Sequence, residues 1–439
     1  MGRPNSGVSA IPGGVVVEGT ITARQGTHLI GRAAEGSTGM PAAAGATCVG
    51  GQGVHWTCAT PEPRGSERID VIPAAEWDAH VEDAGRLLNV TLEAFGSSPQ
   101  AAVILETVKA EFVDDGITVR PLPVAARPRD DGGLRWSGAD NVLGEAVADP
   151  RFTLRPNTLC TGLIREGDRV VGATLRDAAT GAESQVRADA VVVAADALRT
   201  PQLLWHSGIR PDALGKYLTE HPLLFGVVAL REGLVPRPDP AQPTDPIRAV
   251  VAVSFDDEAH PFSAQLMYSP ICPVPLAPDS RFRDNPGGYA GCGWGLRKFP
   301  RAEDRITFDP DTPDANGLPG IVIAYELTDR EEAELEQAKT FQARAVAALG
   351  EFVDGMPKVM PAGSSLHYMG TMRMGPADDG TSVCDEYSRV WGVPGLRVAG
   401  NGVIPTANTC NPTLTSVAIA CRGAEQLCAE LNAATTEEN

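Results

Sequence analysis

No run of apolar residues in this 439-residue chain approaches membrane-spanning length, so no transmembrane helix is expected. The opening MGRPNSGVSAIPGG has neither the basic start nor the apolar core of a signal peptide, which makes a cytoplasmic protein the default expectation. The nine cysteines are odd in number and never stand at CxxC spacing. That speaks against a disulfide framework or a zinc site, and no metal is expected. Basic residues are short: 37 Lys and Arg face 56 Asp and Glu, a formal net charge of −19. Nucleic acid and anionic membrane both require a cationic face, so neither is expected as a partner, and a neutral small molecule fits better. Internal repeats are absent too, and only the Ala/Thr/Glu-rich tail after Leu431 reads as disordered.

What is present is an ordinary globular composition, 43% hydrophobic and 21% charged, in a chain long enough for two domains with substantial cores. A helical pair is expected from about Ala74 to Phe112, where Trp77, Val81, Leu87, Leu88 and Val90 recur at roughly helical spacing. Strands follow at RPNTLCTGLIREGDRVVGATLRD, two of them around the turn Glu166 to Asp168. The apolar run Val191 to Ala195 has the character of a buried parallel strand, with Thr200-Pro201 opening the next helix. From Leu223 to about Ala324 the pattern is strands broken by proline-rich turns, and Asp329 to Val353 reads as an amphipathic helix.

Two residues near the end carry chemistry. His367, in SSLHYMGTMRMG, is an imidazole that titrates in the range needed to take a hydroxyl proton. Asn411, in NGVIPTANTCNPTLTSVAIACRG, offers a side-chain amide able to stabilise a developing alkoxide without reorganising. Asn411-Pro412-Thr413 also reads as an N-cap, a first-position proline and the start of an amphipathic helix whose positive end points back at whatever precedes it. Taken singly, each has a blander reading, a core histidine and a helix cap.

The stretches LHYMGTMRMG (366–375), SRVWGVPGLRVAGNGVIPT (388–406) and NPTLTSVAIA (411–420) together resemble the C-terminal block of the glucose-methanol-choline (GMC) oxidoreductases, in particular the pyranose oxidases and the related bacterial oxidases of sugars and C-glycosides. The resemblance implies that His367 and Asn411 form the catalytic pair, with His367 accepting the hydroxyl proton, Asn411 holding the alkoxide and flavin N5 taking the hydride. It implies FAD as cofactor, with Val398 to Gly402, including Gly400 and Asn401, passing beside the flavin and Thr413 at the helix start behind it. CVGGQGVHWTCATP (48–61) resembles the pyranose-oxidase loop along the flavin, where the residue matching His55 carries a covalent bond to the cofactor in some members and none in others. Gly50, Gly51 and Gly53 would let backbone N–H groups approach a planar ring, Trp56 follows His55, and Thr57 would donate to the N5/O4 edge. Thr158 and Cys160 fall where the family's backbone meets the adenine, and Ala195 ends its second flavin-contacting strand. Gln265, Trp294 and Arg297 fall, on a looser match, where sugar-contacting residues lie, and between them offer amide and cationic donors and an aromatic face.

The implied fold is α/β (α+β): a discontinuous Rossmann-like FAD domain (1–70, 150–222 and 375–439) interleaved with a mainly antiparallel-sheet substrate domain (71–149 and 223–374). One element of the family pattern is missing, the N-terminal strand–GxGxxG–helix unit that grips the FAD pyrophosphate. The alternatives are a truncated start, a partner chain supplying that unit, and a relic that no longer binds FAD alone. The expected activity is FAD-dependent oxidation of a pyranose or C-glycoside secondary hydroxyl at C2 or C3, with O2 or a quinone as electron acceptor, in a homo-oligomer or beside a partner chain that supplies the missing unit. The competing expectations are a non-sugar alcohol as substrate, and a truncated non-catalytic subunit.

Overall fold

The computed structural model describes residues 27–29, 39–46, 49–54, 56–130, 133–237 and 249–437. Its largest sheet has seven strands, all antiparallel, running Gly350–Phe352, Leu223–Leu230, Tyr289–Leu296, Phe262–Ser269, Ala249–Val253 and Val119–Pro121, with Lys358–Val359 also on the Leu223–Leu230 strand. Alternation along Phe262–Ser269 sends Phe262, Ala264, Leu266 and Tyr268 into one hydrophobic core. Helices Pro99–Phe112 and Asp329–Leu349 supply the other half of that core through Ile104, Val108, Phe112, Leu335, Ala338 and Leu349. A two-residue side-chain period on the strands and a 3.6-residue period on the helices is what allows two such layers to close on one another.

A second core gathers the hairpin Thr158–Glu166/Arg169–Asp177, the helices Ala74–Leu88, Asp196–His206 and Thr413–Glu437, and the parallel pair Val191–Val193 with Leu396–Val398. Helix Ala74–Leu88 packs on the C-terminal helix, whereas Pro99–Phe112 packs on the seven-stranded sheet, so the stretch 71–149 contributes to both cores. No described helix is long and apolar enough to cross a membrane.

Helix Asp196–His206 starts earlier than the sequence pattern suggests, and Pro201 lies inside it. Asp196 caps its own helix, its Oδ1 accepting from Leu198 N (2.6 Å) and Arg199 N (2.9 Å). Pro201 has no N–H for the carbonyl four residues back. That carbonyl, Ala197 O, is instead taken by the hydroxyl of Thr371, a residue of the MGTMRMG segment, so the helix and the His367 segment are joined where the proline leaves an acceptor free.

An ionic cluster locks the sheet to the helix Asp329–Leu349. Lys298 is fully buried, its Nζ 2.5 Å from Asp304 Oδ2 and 3.2 Å from Glu331 Oε2. Glu331 also closes a capping box with Thr328 and accepts from Phe299 N at 2.7 Å. Removing one member of a buried ion group leaves the others uncompensated, so Lys298→Met is expected to destabilise the fold by about 3–5 kcal/mol. A thermal melt matching wild type would count against this accounting.

Candidate active site

The segment before the first long sheet strand pairs antiparallel with the His367 segment: Thr219 and Met369 exchange both backbone hydrogen bonds, at 3.0 and 2.9 Å. In that register His221 stands opposite His367. Their Nδ1 atoms are 3.0 Å apart and the rings meet edge-on, with centroids 4.9 Å apart. Burial pushes His367 down to about 4 and His221, almost fully enclosed, well below the ordinary histidine range, with His367 itself adding to the depression. Both imidazoles are therefore neutral at physiological pH. Since a neutral ring has one N–H, the short Nδ1–Nδ1 contact requires one ring to donate and the other to accept. His221 was visible in the sequence only as the residue before Pro222; its role needed the strand register.

Asn411 is held from the sheet. Its Oδ1 accepts from Gln265 Nε2, so two of the candidate residues meet directly. The C-terminal helix begins at Thr413, and Asn411 gives its side-chain oxygen to Gln265. The loop before Asn411 is gripped by a residue the sequence reading missed. Glu67, fully buried, accepts at Oε1 from Thr409 N (2.7 Å), Thr409 Oγ1 (2.5 Å) and Cys410 N (3.2 Å), and at Oε2 from Arg64 N (3.0 Å). Burial raises its pKa against these hydrogen bonds. With Glu67 and Thr409 342 positions apart, no local pattern could have announced the contact.

The His221 ring and the backbone of Thr409, two residues before Asn411, both come close to Gly295. A Cβ there would lie 3.2 Å from Thr409 O and 3.7 Å from His221 Nδ1. Across the strand pair, Ser263, Gln265 and Met267 face Gly295, Gly293 and Gly291 in register. Side chains alternate on a strand, so this face of the sheet is Ser263–Gln265–Met267 on one strand and bare glycine on its neighbour. Among the described residues, a Cβ at Gly293 would touch only Leu223 Cδ1, at 3.7 Å.

The same alternation corrects two expectations. Trp294 sits between those glycines in sequence and hence points the opposite way, fully buried in the helix-side core with its Nε1 on His260 Nε2 at 3.2 Å. It presents no face to a sugar. Arg297 is also withdrawn: its guanidinium binds Glu334 at 3.0–3.2 Å, lies 3.7 Å from Asp257 and is 7% exposed. The charge that made it a candidate donor is spent on holding the helix Asp329–Leu349.

Of the flavin-side candidates, Gly50 and Gly51 have φ of +90° and +53°, and Gly51 to Val54, including Gly53, form a short 3₁₀ turn. Trp56 Nε1 donates to Ser137 O at 2.9 Å, and Thr57 is half-buried beside it. His55 lies outside the described residues. Thr158 and Cys160 occupy the first strand of the hairpin, and Ala195 N donates to Thr200 Oγ1 at 2.8 Å. Gly400 (φ +103°) turns the chain after Leu396–Val398, and the Asn401 amide oxygen accepts from Ser416 Oγ in the first turn of the Thr413 helix. Gly402 packs closely: a Cβ would lie 2.4 Å from Met372 Cε and 3.1 Å from Thr371 Oγ1, so the Met372 side chain would have to move. These segments suit a planar polar cofactor. Among the described residues, a Cβ at Gly51 would meet nothing within 4 Å, and Gln52 Oε1 and Thr415 Oγ1 are buried without hydrogen-bond partners.

A buried histidine pair and a glutamine-held asparagine thus lie close to the glycine-bearing strand of the sheet. The chain belongs to the GMC oxidoreductase family, whose models match residues 121–223 and 300–420; members of that family are FAD-binding flavoproteins. It is 44% identical over 432 residues to a C-glycoside 3-oxidase of Microbacterium trichothecenolyticum, covering 96% of this chain and 83% of the relative. A pyranose 2-oxidase of Tricholoma matsutake is 33% identical over 89% of this chain and 74% of its own. Among solved structures, pyridoxine 4-oxidase from Mesorbium loti shares the fold, with a TM-score of 0.61 at 19% identity over 88% of this chain and 84% of the other.

Proposed function

We propose that this chain binds FAD and oxidises a secondary hydroxyl, at C2 or C3, of a pyranose or C-glycoside to the ketone. The observation that carries this reading is that His221–His367 and Gln265–Asn411 both lie close to the glycine-bearing strand of the sheet. Kinship with sugar oxidases supports it.

Bound FAD would supply the hydride acceptor, with O2 or a quinone taking the electrons onward. The residues that would hold it are the Gly50–Thr57 loop, Ala195, Gly400, Asn401 and Thr413, with Thr158 and Cys160 toward the adenine. His367 takes the hydroxyl proton at Nε2, which must be bare. Its single hydrogen then sits on Nδ1 and is donated to His221 Nδ1, and His221 keeps its own on Nε2. His221, too deeply buried to protonate, thus fixes the tautomer of the base as the third member of a catalytic triad does. Asn411, its oxygen committed to Gln265, keeps its Nδ2 hydrogens for the alkoxide. The bare glycines leave room for a ring beside Gln265, which contributes polar recognition.

Anaerobic mixing with D-glucose or an aryl C-glycoside should bleach the visible flavin absorption of the FAD-loaded protein, while simple aliphatic alcohols leave it unchanged. Bleaching by the aliphatic alcohols alone would overturn the sugar assignment.

A further inference from the structure

We propose that Glu220 is the positioning residue of the base: its carboxylate ties the Thr219–Pro222 segment to the Gly363–His367 loop and holds the two imidazoles Nδ1 to Nδ1, a role that rests on His367 acting in alcohol oxidation. Glu220 is 1% exposed. Its Oε2 accepts from Gly363 N at 2.6 Å, and its Oε1 from Ser365 N at 2.9 Å and Ser365 Oγ at 2.8 Å. Ser365 Oγ in turn accepts from His367 N at 3.2 Å. The connection therefore runs from carboxylate to serine to the backbone of the base, while the residue after Glu220 is the histidine that meets it.

The loop needs such a hold. Leu366, immediately before His367, has φ of +60°, a left-handed conformation that a leucine adopts only when its surroundings impose it. Gly363, at φ +95°, could carry no side chain, since a Cβ would lie 2.3 Å from Ala43 N. A carboxylate is an acceptor at both oxygens and satisfies all three donors of the loop. Glutamine has nearly the same shape but one oxygen and one NH2, so in either orientation a donor of the loop faces a donor.

The titratable groups around Glu220 are His221 on its own segment, His367 and Tyr368 on the facing segment, and Tyr325. Beyond them, Asp196 acts on Tyr368, and Glu331 and Asp304 act on Tyr325. Burial holds both phenols far above their ordinary range and both imidazoles below theirs, so these four stay neutral near pH 7. Burial also lifts Glu220 to about 7, against the three hydrogen bonds it accepts. Protonation turns one oxygen into a hydroxyl, a weaker acceptor that must itself find an acceptor, so the clamp tightens as pH rises through about 7.

The test uses FAD-loaded wild type, Glu220→Gln, Glu220→Asp and Ser365→Ala, followed by anaerobic reduction with sugar and by ¹⁵N spectra of histidine-labelled protein, in which only seven histidines report. Glu220→Gln should slow flavin reduction by about 10- to 100-fold with little change in substrate Kd, as misplacement of a catalytic group does. It should also abolish the rise in rate near pH 7, leaving the transition of His367 near 4. Glu220→Asp should recover part of the rate, and Ser365→Ala should fall between. The wild-type spectra should show one protonated and one bare ring nitrogen on His221 and on His367, and Glu220→Gln should average them. Wild-type rates and pH profile in Glu220→Gln, or slowed reduction with unchanged histidine spectra, would overturn the proposal. Should Glu220→Gln not fold, Ser365→Ala with wild-type rate and spectra would overturn it equally. If no sugar reduces the wild type, the reading of function fails while the spectra still decide the clamp.

Discussion

Replacing His367 by alanine is expected to lower the rate constant for flavin reduction by about two to four orders of magnitude, the range that a positioned general base contributes. The imidazole is neutral above about pH 4, held there by burial, so the wild-type base is competent across the physiological range and its loss is felt at every pH in it. The fold should survive, because the backbone of the segment is pinned at Thr219, Met369 and Glu220, independently of the ring. A small exogenous base such as imidazole should restore part of the rate. Near-wild-type reduction in His367→Ala would remove this residue from the chemistry and shift attention to His221.

Asn411→Ala is expected to cost about 10²- to 10³-fold in the same rate, the usual loss when one preorganised donor to a developing oxyanion is deleted. The loss should exceed that of Gln265→Ala, because Gln265 acts partly through Asn411, orienting its amide by donating to Oδ1. Effects of two residues in one hydrogen-bonded unit are not additive, so the double mutant should be little worse than Asn411→Ala. Stability should change little, since the Asn411 oxygen is engaged by Gln265 and the helix begins beyond it, at Thr413. Full activity in Asn411→Ala would reduce it to a loop residue.

Much of the frame was legible because periodicity is local. The helices at Ala74–Leu88, Pro99–Phe112 and Asp329–Leu349, and the hairpin around Glu166–Asp168, fall where apolar spacing and turn residues put them. The start of the Asp196 helix was misplaced because a proline is ordinarily a first-turn residue, and the partner that takes the freed carbonyl, Thr371, is remote in sequence. GCGWGLRKFP advertised its large and charged members, Trp294 and Arg297, as contacts. The strand's two-residue alternation turned the glycines to the site and the tryptophan to the core, and Glu334 claimed the arginine. Sequence chemistry names what a side chain is able to do; only its neighbours decide whether it is free to do it.

From the sequence alone came the family, the His367 and Asn411 candidates and the acidic character of the chain, since these depend on residue identity and short-range order. Tertiary structure alone decided that His221 meets His367, that Gln265 binds Asn411, and that Glu67 and Glu220 brace the two loops. Those pairings join segments more than a hundred residues apart, and they exist only because strand register and the burial of two cores bring them within hydrogen-bond reach.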